Sequence, residues 1–282
     1  QKRLKEFKIL KEKLEKQFKQ VYEDKLNDLI PEFIYKDKKQ ELEKKIKNEK
    51  EKLQEVEEKI AAAKARRAPE LTDDVTLVAV TKNHDVSAMQ EALAAGVTNV
   101  GENRVQEAQG KYEVVGPDAA TWHLIGHLQT NKAKQAVKIF DIIESVDSTH
   151  LAKALDKEAG KIGKVQDVLV QVNLAKEPQK SGVFEEDLPE LLKLCDALPH
   201  LHLCGLMMIA PDYEDRERCR PLFRRMHEIF MEAKEMPFAA SNIKYLSMGM
   251  SHDYEMAIEE GANIVRVGTA IFGPRQYGKT PH

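Results

Sequence analysis

One lysine stands at the end of a buried strand candidate, where its amine could do covalent chemistry. Lys82 closes the β-branched run Thr76–Thr81 and is followed by the polar stretch Asn83-His84-Asp85. A lysine amine in such a place can attack an aldehyde carbon and form an imine. A single lysine at a strand end is more commonly a surface charge, so its neighbours in the fold decide between the two interpretations.

The seven later strand candidates end in residues suited to a small anionic ligand. Two of these ends, Met248-Gly-Met-Ser251 and Arg266-Val-Gly-Thr269, combine glycine with a hydroxyl or a cation. Glycine lets backbone N–H groups approach a phosphate closely, and Ser251 is expected to open a helix whose dipole favours an anion. The other ends are Glu102-Asn103, Gly126-His127, Asp147, Asn173 and Ala210-Pro211.

Short β-branched runs alternate with amphipathic stretches such as Val86–Ala95 and His252–Glu260, which predicts parallel strands joined by right-handed crossovers. Eight such units in about 200 residues predict an α/β fold with a single (β/α)8 TIM-type barrel. Phosphates bind after strands seven and eight of such barrels, so Lys82 would face the ligand across the barrel mouth. The predicted strands are Thr76–Thr81, Thr98–Gly101, Trp122–Ile125, Asp141–Ser145, Asp167–Asn173, Leu203–Ile209, Ile243–Ser247 and Ile264–Gly268.

The first 67 residues follow a different pattern. Apolar residues recur at three- and four-residue spacing in the runs Leu4–Val21 and Leu42–Ile60, on either side of Asn27–Pro31. This pattern predicts an antiparallel α-helical coiled-coil hairpin, whose second helix extends from about Pro31 to Arg67 and continues into the first helix of the barrel. The predicted domains are therefore residues 1–67, the hairpin, and residues 68–282, the barrel.

The hairpin loosely resembles the coiled-coil hairpin of large serine recombinases over residues 1–48, with Tyr22–Ile30 at its turn. Heptads rich in lysine and glutamate also arise in unrelated coiled coils, so a spacer or a dimerising hairpin is an equal alternative. A natural extension and an engineered fusion, or chimera, fit the sequence equally. Self-association and a partner helix are both candidate interactions of this arm.

Charge and cysteine usage exclude several classes of protein. Residues 1–50 hold 16 Lys and Arg against 11 Asp and Glu, and the rest of the chain holds 28 against 36. With a net charge of −3, neither nucleic acid nor a membrane is an expected partner. No apolar stretch is long enough to span a bilayer, and no leader is indicated. Three cysteines without a C-x-x-C pair argue against a disulfide framework or a zinc ribbon and favour the reducing cytoplasm.

The strand-end residues give the chain a resemblance to the pyridoxal phosphate homeostasis protein family, single-domain barrels related to the N-terminal domain of alanine racemase. The resemblance extends from about Asn48 to Tyr277 and includes several ordered motifs. These motifs are Val78-Ala-Val-Thr-Lys82, Gly101-Glu-Asn-Arg-Val-Gln-Glu107, Trp122-His-Leu-Ile-Gly-His-Leu-Gln-Thr-Asn-Lys132, Lys180-Ser-Gly182, Gly205-Leu-Met-Met-Ile-Ala-Pro211, Leu246-Ser-Met-Gly-Met-Ser251 and Val265-Arg-Val-Gly-Thr-Ala-Ile-Phe-Gly273.

The resemblance implies that pyridoxal 5′-phosphate is the cofactor and that Lys82 forms the imine with its aldehyde. It further implies that Ser251, Gly268 and Thr269 hold the phosphate, that Arg266 points at the pyridine nitrogen, and that Asn103 and Met248 line the ring. Two departures concern the loop after the lysine: Asn83-His84-Asp85 replaces a Thr-Lys-Pro-like stretch, and Thr81 stands where serine is frequent. Neither departure removes a group that binds the ligand.

The position implied for Arg266 argues against catalysis. Enzymes that use the cofactor as a strong electron sink keep its pyridine nitrogen protonated beside a carboxylate, and an arginine cannot accept that proton. Racemisation also needs an acid or base on each face of the ring, and Tyr277 lies too close to strand eight to be assigned that role. A carrier of the cofactor without established turnover, with pyridoxal-phosphate-dependent apoenzymes as recipients, is therefore the leading hypothesis.

Several alternatives stay open at this stage. The hairpin could be the functional interaction element and the barrel its scaffold, or the barrel could have weak amino-acid racemase activity. His123 and His127 could bind a metal, although no third ligand stands nearby and capping of strand three fits them better. Glu102 could act as a base or as a structural hydrogen-bond acceptor.

Overall fold

The structure, a computed structural model, describes residues 32–273 of the chain. Eight parallel strands form a closed barrel in chain order, and the last strand pairs with the first. The predicted TIM-type barrel is confirmed. The strands are β1 Thr76–Val80, β2 Asn99–Glu102, β3 Thr121–Leu124, β4 Ile142–Val146, β5 Gln166–Val172, β6 Leu201–Met208, β7 Tyr245–Met250 and β8 Ile264–Val267.

Nine α-helices are described around the strands, one before β1, one after each strand and the last of them short. They bury one face against the sheet, so the main hydrophobic core lies between the strands and the helices. The helices are α1 Glu32–Ala65, α2 Val86–Ala95, α3 Val105–Val115, α4 Ala133–Ile139, α5 Thr149–Lys161, α6 Leu188–Ala197, α7 Arg220–Lys234, α8 Tyr254–Glu259 and α9 Thr269–Phe272.

Strand β7 differs most from its predicted bounds, because it was expected at Ile243–Ser247 and ends at Met250. The segment Met248-Gly-Met250 has no β-branched residue, so local propensity predicts that the strand ends before it. The neighbouring strand extends it, since Met250 pairs with Arg266 of β8 after a shift in register. Barrel closure therefore overrides the weak strand propensity of this segment.

Helix α1 has 34 residues and is about 51 Å long at about 1.5 Å per residue. Its second half packs on the barrel through the buried side chains of Leu53, Val56, Ile60 and Ala63. Their spacing of three and four residues puts them on one face of the helix. Around Glu41–Lys47, by contrast, most side chains are exposed.

The end of α1 is fixed by Arg67, whose guanidinium is buried. Its Nε donates to the carbonyl oxygen of Ile258 at 2.8 Å, and its Nη1 donates to that of Asp73 at 2.8 Å. A third bond joins it to the carbonyl oxygen of Ala262. The described helix agrees with the predicted second helix of the hairpin. The first helix and Pro31 at the tip lie outside the described residues, so the hairpin and the domain boundary at residue 67 stay predictions.

No helix among residues 32–273 is long and apolar enough to cross a membrane.

Candidate cofactor site

A cavity of about 550 Å³ opens at the carboxyl ends of the strands. Its wall is formed by residues at or just beyond the ends of β1, β2, β3, β5, β6, β7 and β8, the end of the barrel where chemistry is expected. The lining residues are Val80, Lys82, His84, Asn103, Ile125, Gly126, His127, Gln171, Val172, Asn173, Lys180, Ser181, Ile209, Ala210, Asp212, Met250, Ser251, His252, Arg266, Gly268, Thr269 and Gly273.

Six of the seven residues predicted for the site line this one cavity. They come from the ends of four strands that are distant in sequence and are brought together by closure of the barrel. The six are Lys82, Asn103, Ser251, Arg266, Gly268 and Thr269.

Met248 is the exception, because it is fully buried in the hydrophobic core and does not line the cavity. Side chains alternate between the two faces of a strand. Ser247 points into the barrel, where it contacts Glu144 and Arg266, so Met248 faces the helices instead. The backbone then turns at Gly249, which has a φ of +94°, and Met250 reaches the cavity. Met250, and not Met248, therefore lines the cavity.

The ends of β7 and β8 form a corner of small and hydroxyl-bearing residues. The Ser251 Oγ accepts a hydrogen bond from the Gly268 backbone N–H at 3.1 Å. A Cβ atom on Gly268 would lie 3.3 Å from both the Cβ and the carbonyl oxygen of Val80, so glycine lets the two strands approach closely. Backbone N–H groups and hydroxyls at such a corner suit a phosphate.

The helix after β7 begins at Tyr254 and not at Ser251, as had been expected. The intervening turn is closed by Asp253, whose Oδ1 accepts a hydrogen bond from the Met250 N–H at 2.6 Å. The Asp253 carboxyl is buried, and burial raises its pKa against the opposing effects of that hydrogen bond and of Arg266. Ser251 therefore lies in a turn, and its role at this corner depends on its hydroxyl and not on a helix end.

Arg266 lies at the bottom of the cavity and is almost completely buried. Its Nη1 donates to the Ser247 Oγ at 2.6 Å and its Nη2 donates to the Met208 carbonyl oxygen at 2.7 Å. Burial lowers the pKa of the guanidinium, and the charges of Glu144 and Asp253 oppose that shift. Arginine has N–H donors and no acceptor, so this side chain can only donate hydrogen bonds to a ligand atom in the cavity.

The backbone next to Lys82 is held from below by a buried ion cluster. The Lys111 Nζ donates to the Thr81 carbonyl oxygen at 2.7 Å, to Glu102 at 2.7 Å and to Glu107 at 2.8 Å. The Thr81 hydroxyl also donates to Glu102. Burial raises the pKa of the Glu102 carboxyl, and Lys111 and Thr81 oppose the shift. Glu102 does not line the cavity, so the structural alternative describes it better than a role as a base.

His84 is a cavity residue to which the sequence assigned no role. Its ring lies 4.9 Å from the ring of Phe272, centroid to centroid, and burial followed by the charge of Lys111 lowers its pKa. The neighbouring Asp85 caps α2 by accepting from the Ala88 N–H at 2.9 Å, which fixes the start of this helix. The sequence position of His84 could have identified it, because a histidine two residues after Lys82 must lie near the same end of the barrel.

The opposite wall contains a second polar group around His127. The His127 Nδ1 lies 3.3 Å from Asp147 Oδ2 and 3.0 Å from Ser181 Oγ. Burial raises the pKa of Asp147, and His127 opposes the shift. His123 points into the barrel instead and contacts Glu144. The two histidines therefore belong to separate networks and do not form a common metal site.

One group with metal-ligand geometry is found among residues 32–273. Asp167, His202 and Cys204 place one ligand atom each within 4.8 Å of one another. They lie near the amino ends of β5 and β6, at the end of the barrel away from the cavity. The three cysteines are free and buried, and burial raises the pKa of Cys195 and of Cys204 to about 12.

Comparison with known proteins agrees with the geometry. Residues 52–276 match the family model for the N-terminal domain of alanine racemase. The pyridoxal phosphate homeostasis protein of Aquifex aeolicus is 42% identical over 227 residues, which cover 80% of this chain and 98% of the relative. That of Escherichia coli strain K12 is 38% identical over 232 residues, covering 80% and 97%.

Solved structures give the same relationship. PipY of Synechococcus elongatus matches in two forms, one without PLP at a TM-score of 0.68 and 41% identity, the other with PLP bound at 0.64 and 39%. Each match covers 77% of this chain and 99% of PipY. An alanine racemase of Clostridium difficile, 16% identical with a TM-score of 0.61, shares the fold over 79% of this chain and 56% of its own. This chain belongs to the alanine racemase N-terminal domain family and, within it, to the pyridoxal phosphate homeostasis proteins.

Proposed function

We propose that this chain binds pyridoxal 5′-phosphate in the cavity at the carboxyl ends of its strands, with Lys82 as the point of attachment. The observation that carries the proposal is the meeting of three chemically different groups in that cavity: an amine at Lys82, a glycine-hydroxyl corner at Ser251 and Gly268, and a buried cation at Arg266. An aldehyde, a phosphate and a ring nitrogen are the three groups of this cofactor that they suit. The names of the relatives support the same cofactor.

The residues present fit the cofactor in size and polarity. The close approach at Gly268 leaves its N–H and the Ser251 hydroxyl together at the cavity edge, where Thr269 adds a second hydroxyl. A cavity of about 550 Å³ falls within the range of ordinary small-molecule sites. Lys82, at the end of β1, and this corner, at the ends of β7 and β8, border the same space because β1 pairs with β8.

The attachment step needs no further reagent. Lys82 would hold the cofactor through a C=N bond between its Nζ and the aldehyde carbon, with the aldehyde oxygen released as water. When bound, the cofactor supplies an electron-withdrawing ring conjugated with that bond. The residues around it hold the phosphate, orient the ring and fix the backbone of Lys82.

The function proposed is that of a carrier, without turnover of an amino acid. Arg266 donates hydrogen bonds and cannot take a proton from the ring nitrogen, so the nitrogen stays neutral and withdraws electrons weakly. A protein that binds the aldehyde reversibly lowers its free concentration and can release it to pyridoxal-phosphate-dependent apoenzymes. These apoenzymes are the partners proposed for the barrel.

Absorbance spectroscopy with chemical trapping tests the attachment. The loaded wild-type protein should show the near-visible band of the Schiff base, and borohydride should fix the label on the peptide that contains Lys82. Lys82→Ala should lose the band. Lys138→Ala is the matched control, because Lys138 is an exposed lysine in the last turn of α4 and should leave the band unchanged.

Three outcomes contradict the proposal. If the wild type shows no band after pyridoxal 5′-phosphate is added, the chain does not attach this cofactor. If a lysine other than Lys82 carries a stoichiometric label, Lys82 is not the attachment residue. Turnover of alanine by the loaded protein at a rate typical of enzymes would replace the carrier by the racemase alternative.

Helix α1 carries a second candidate function, that of an interaction arm. Its charged residues around Glu41–Lys47 are exposed, and the half-buried Leu42 and Ile46 continue the apolar stripe of the part that packs on the barrel. The family match begins at residue 52, beyond this segment. We propose that the segment binds a partner helix or a second copy of the chain. Sedimentation of the wild type against Leu42→Glu with Ile46→Glu tests this, and an unchanged mass together with unchanged partner capture would contradict it.

A further inference from the structure

Below the cavity, four buried side chains form a continuous chain of hydrogen bonds through the barrel. The Arg266 Nη1 lies 2.6 Å from Ser247 Oγ, Ser247 Oγ lies 2.5 Å from Glu144 Oε2, and Glu144 Oε1 lies 2.7 Å from His123 Nδ1. Their exposed fractions are 2% or less. The four residues come from β8, β7, β4 and β3, so the chain crosses the interior of the barrel.

The donors and acceptors between Arg266, Ser247 and Glu144 can be assigned in one direction. Arg266 can only donate, so Ser247 Oγ accepts its hydrogen bond and uses its own proton for Glu144. The second oxygen of Glu144 faces the His123 ring, whose other nitrogen lies 3.2 Å from Asn99 Oδ1. Glu144 Oε2 therefore accepts from Ser247, and a His123 ring with a proton on Nδ1 donates to Glu144 Oε1.

The groups around Glu144 favour its ionised form in a buried place. Burial alone raises the pKa of Glu144, but His123, Arg266 and Ser247 lower it, and the net shift is downward. In return, the charge of Glu144 is the first of those that oppose the loss of the Arg266 proton. A buried charge without such a partner is strongly unfavourable, so the two groups depend on each other.

We propose that Glu144 is a positioning residue for the cofactor, acting on Arg266 through the Ser247 hydroxyl. It fixes the orientation of the guanidinium and therefore which of its hydrogens point into the cavity, and His123 contacts the carboxylate from the other side. This inference rests on the proposed function, because its effect is on the ring nitrogen that Arg266 would contact. Groups behind a binding residue commonly fix its orientation in this way.

Cofactor affinity and the pH profile of the bound cofactor's absorbance test the proposal. Glu144→Gln keeps the shape and removes the charge, and Ser247→Ala removes only the linking oxygen. Each should raise the dissociation constant of pyridoxal 5′-phosphate about tenfold, the equivalent of one hydrogen bond to a charged group. Each should also shift the pH at which the bound cofactor's spectrum changes, a readout that simple loosening of the fold does not move.

Gln166→Met is the matched control, because Gln166 is a buried polar residue at the amino end of β5, away from the cavity. Its affinity and pH profile should equal those of the wild type. The double variant should be no worse than the stronger single variant, since both remove the same link. Thermal melting of each apoprotein verifies the fold, and Ser247→Ala decides alone if Glu144→Gln does not fold.

The two proposals fail in different ways. If the wild type gains no band from pyridoxal 5′-phosphate, the proposed function fails and takes this inference with it. If the wild type binds through Lys82 while Glu144→Gln and Ser247→Ala bind and titrate as the wild type does, only the role of Glu144 is overturned.

Discussion

The Nζ atom of Lys111 lies 2.7 Å from the carbonyl oxygen of Thr81, the residue directly before Lys82. Lys111 is on α3, and it reaches under the strand end while its side chain is almost fully buried. It also pairs with Glu102 at 2.7 Å. The position of the proposed attachment residue is thus tied to an ion pair on the neighbouring βα unit.

Replacing Lys111 with methionine should strongly destabilise the barrel. The change leaves Glu102 as a buried carboxylate without its cation and removes the donor to the Thr81 carbonyl, a loss of about 3–5 kcal/mol in the free energy of unfolding. Urea denaturation measures it. Lys138→Met at an exposed position provides the control, and equal stability of the two variants would show that the buried pair contributes nothing.

Adding a methyl group should be tolerated less well at Gly249 than at Gly268. Gly249 has a φ of +94°, and its Cβ would lie 2.7 Å from the Ala257 Cβ and 2.8 Å from the Tyr254 Cα. At Gly268 the nearest atoms are 3.3 Å away and φ is negative. Gly249→Ala should cost about 1–2 kcal/mol in backbone strain and more in overpacking. Melting temperatures compare the two, and the reverse order contradicts the structure.

Ser251→Ala should weaken binding of the phosphorylated cofactor more than binding of pyridoxal, which lacks the phosphate. The loss of one hydroxyl hydrogen bond corresponds to about 1 kcal/mol, or roughly fivefold in the dissociation constant. Fluorescence titration with both compounds separates the phosphate corner from the rest of the cavity. If Ser251→Ala weakens the binding of both ligands equally, Ser251 does not act through the phosphate.

Asp147 should make the stability of the protein depend on pH. Burial raises its pKa above the ordinary value of 3.8, so the folded state binds this proton more tightly than the unfolded state does. Protonated Asp147 therefore contributes fully to the free energy of unfolding below pH 3.8. This contribution is lost as the pH rises through the higher pKa of Asp147 in the folded protein. Asp147→Asn, which stays neutral, should gain in relative stability over that window. Unfolding curves at a series of pH values verify the sign, and a constant difference between the two proteins argues against it.

Much of the barrel could be predicted from sequence because each strand is a short local pattern. All eight strands lie where β-branched runs predict them, and helix Val86–Ala95 has the predicted bounds. Six of the residues predicted for the site line the cavity for a related reason: in a barrel, the chemistry is expected at the strand ends. The end of β7 was missed because pairing with β8, and not local propensity, extends it to Met250.

The remaining features depend on contacts that no local spacing encodes. Met248 and Met250 differ by two positions, and the positive φ of Gly249 between them decides which one reaches the cavity. Glu144 and Ser247 are far apart in sequence and meet only because the barrel closes. Lys111 belongs to an amphipathic helix, where a lysine is ordinarily solvated, and its burial follows from the carboxylate of Glu102 on the adjacent strand.

The three buried thiols can be used to measure local opening of the barrel wall. Cys195 lies on α6, Cys204 on β6, and Cys219 just before α7, and each is inaccessible in the folded state. Alkylating reagents attack only an exposed thiolate, so labelling in native buffer must wait for these elements to separate. The rate of labelling at each cysteine therefore reports how often that part of the barrel wall opens, with no engineered label.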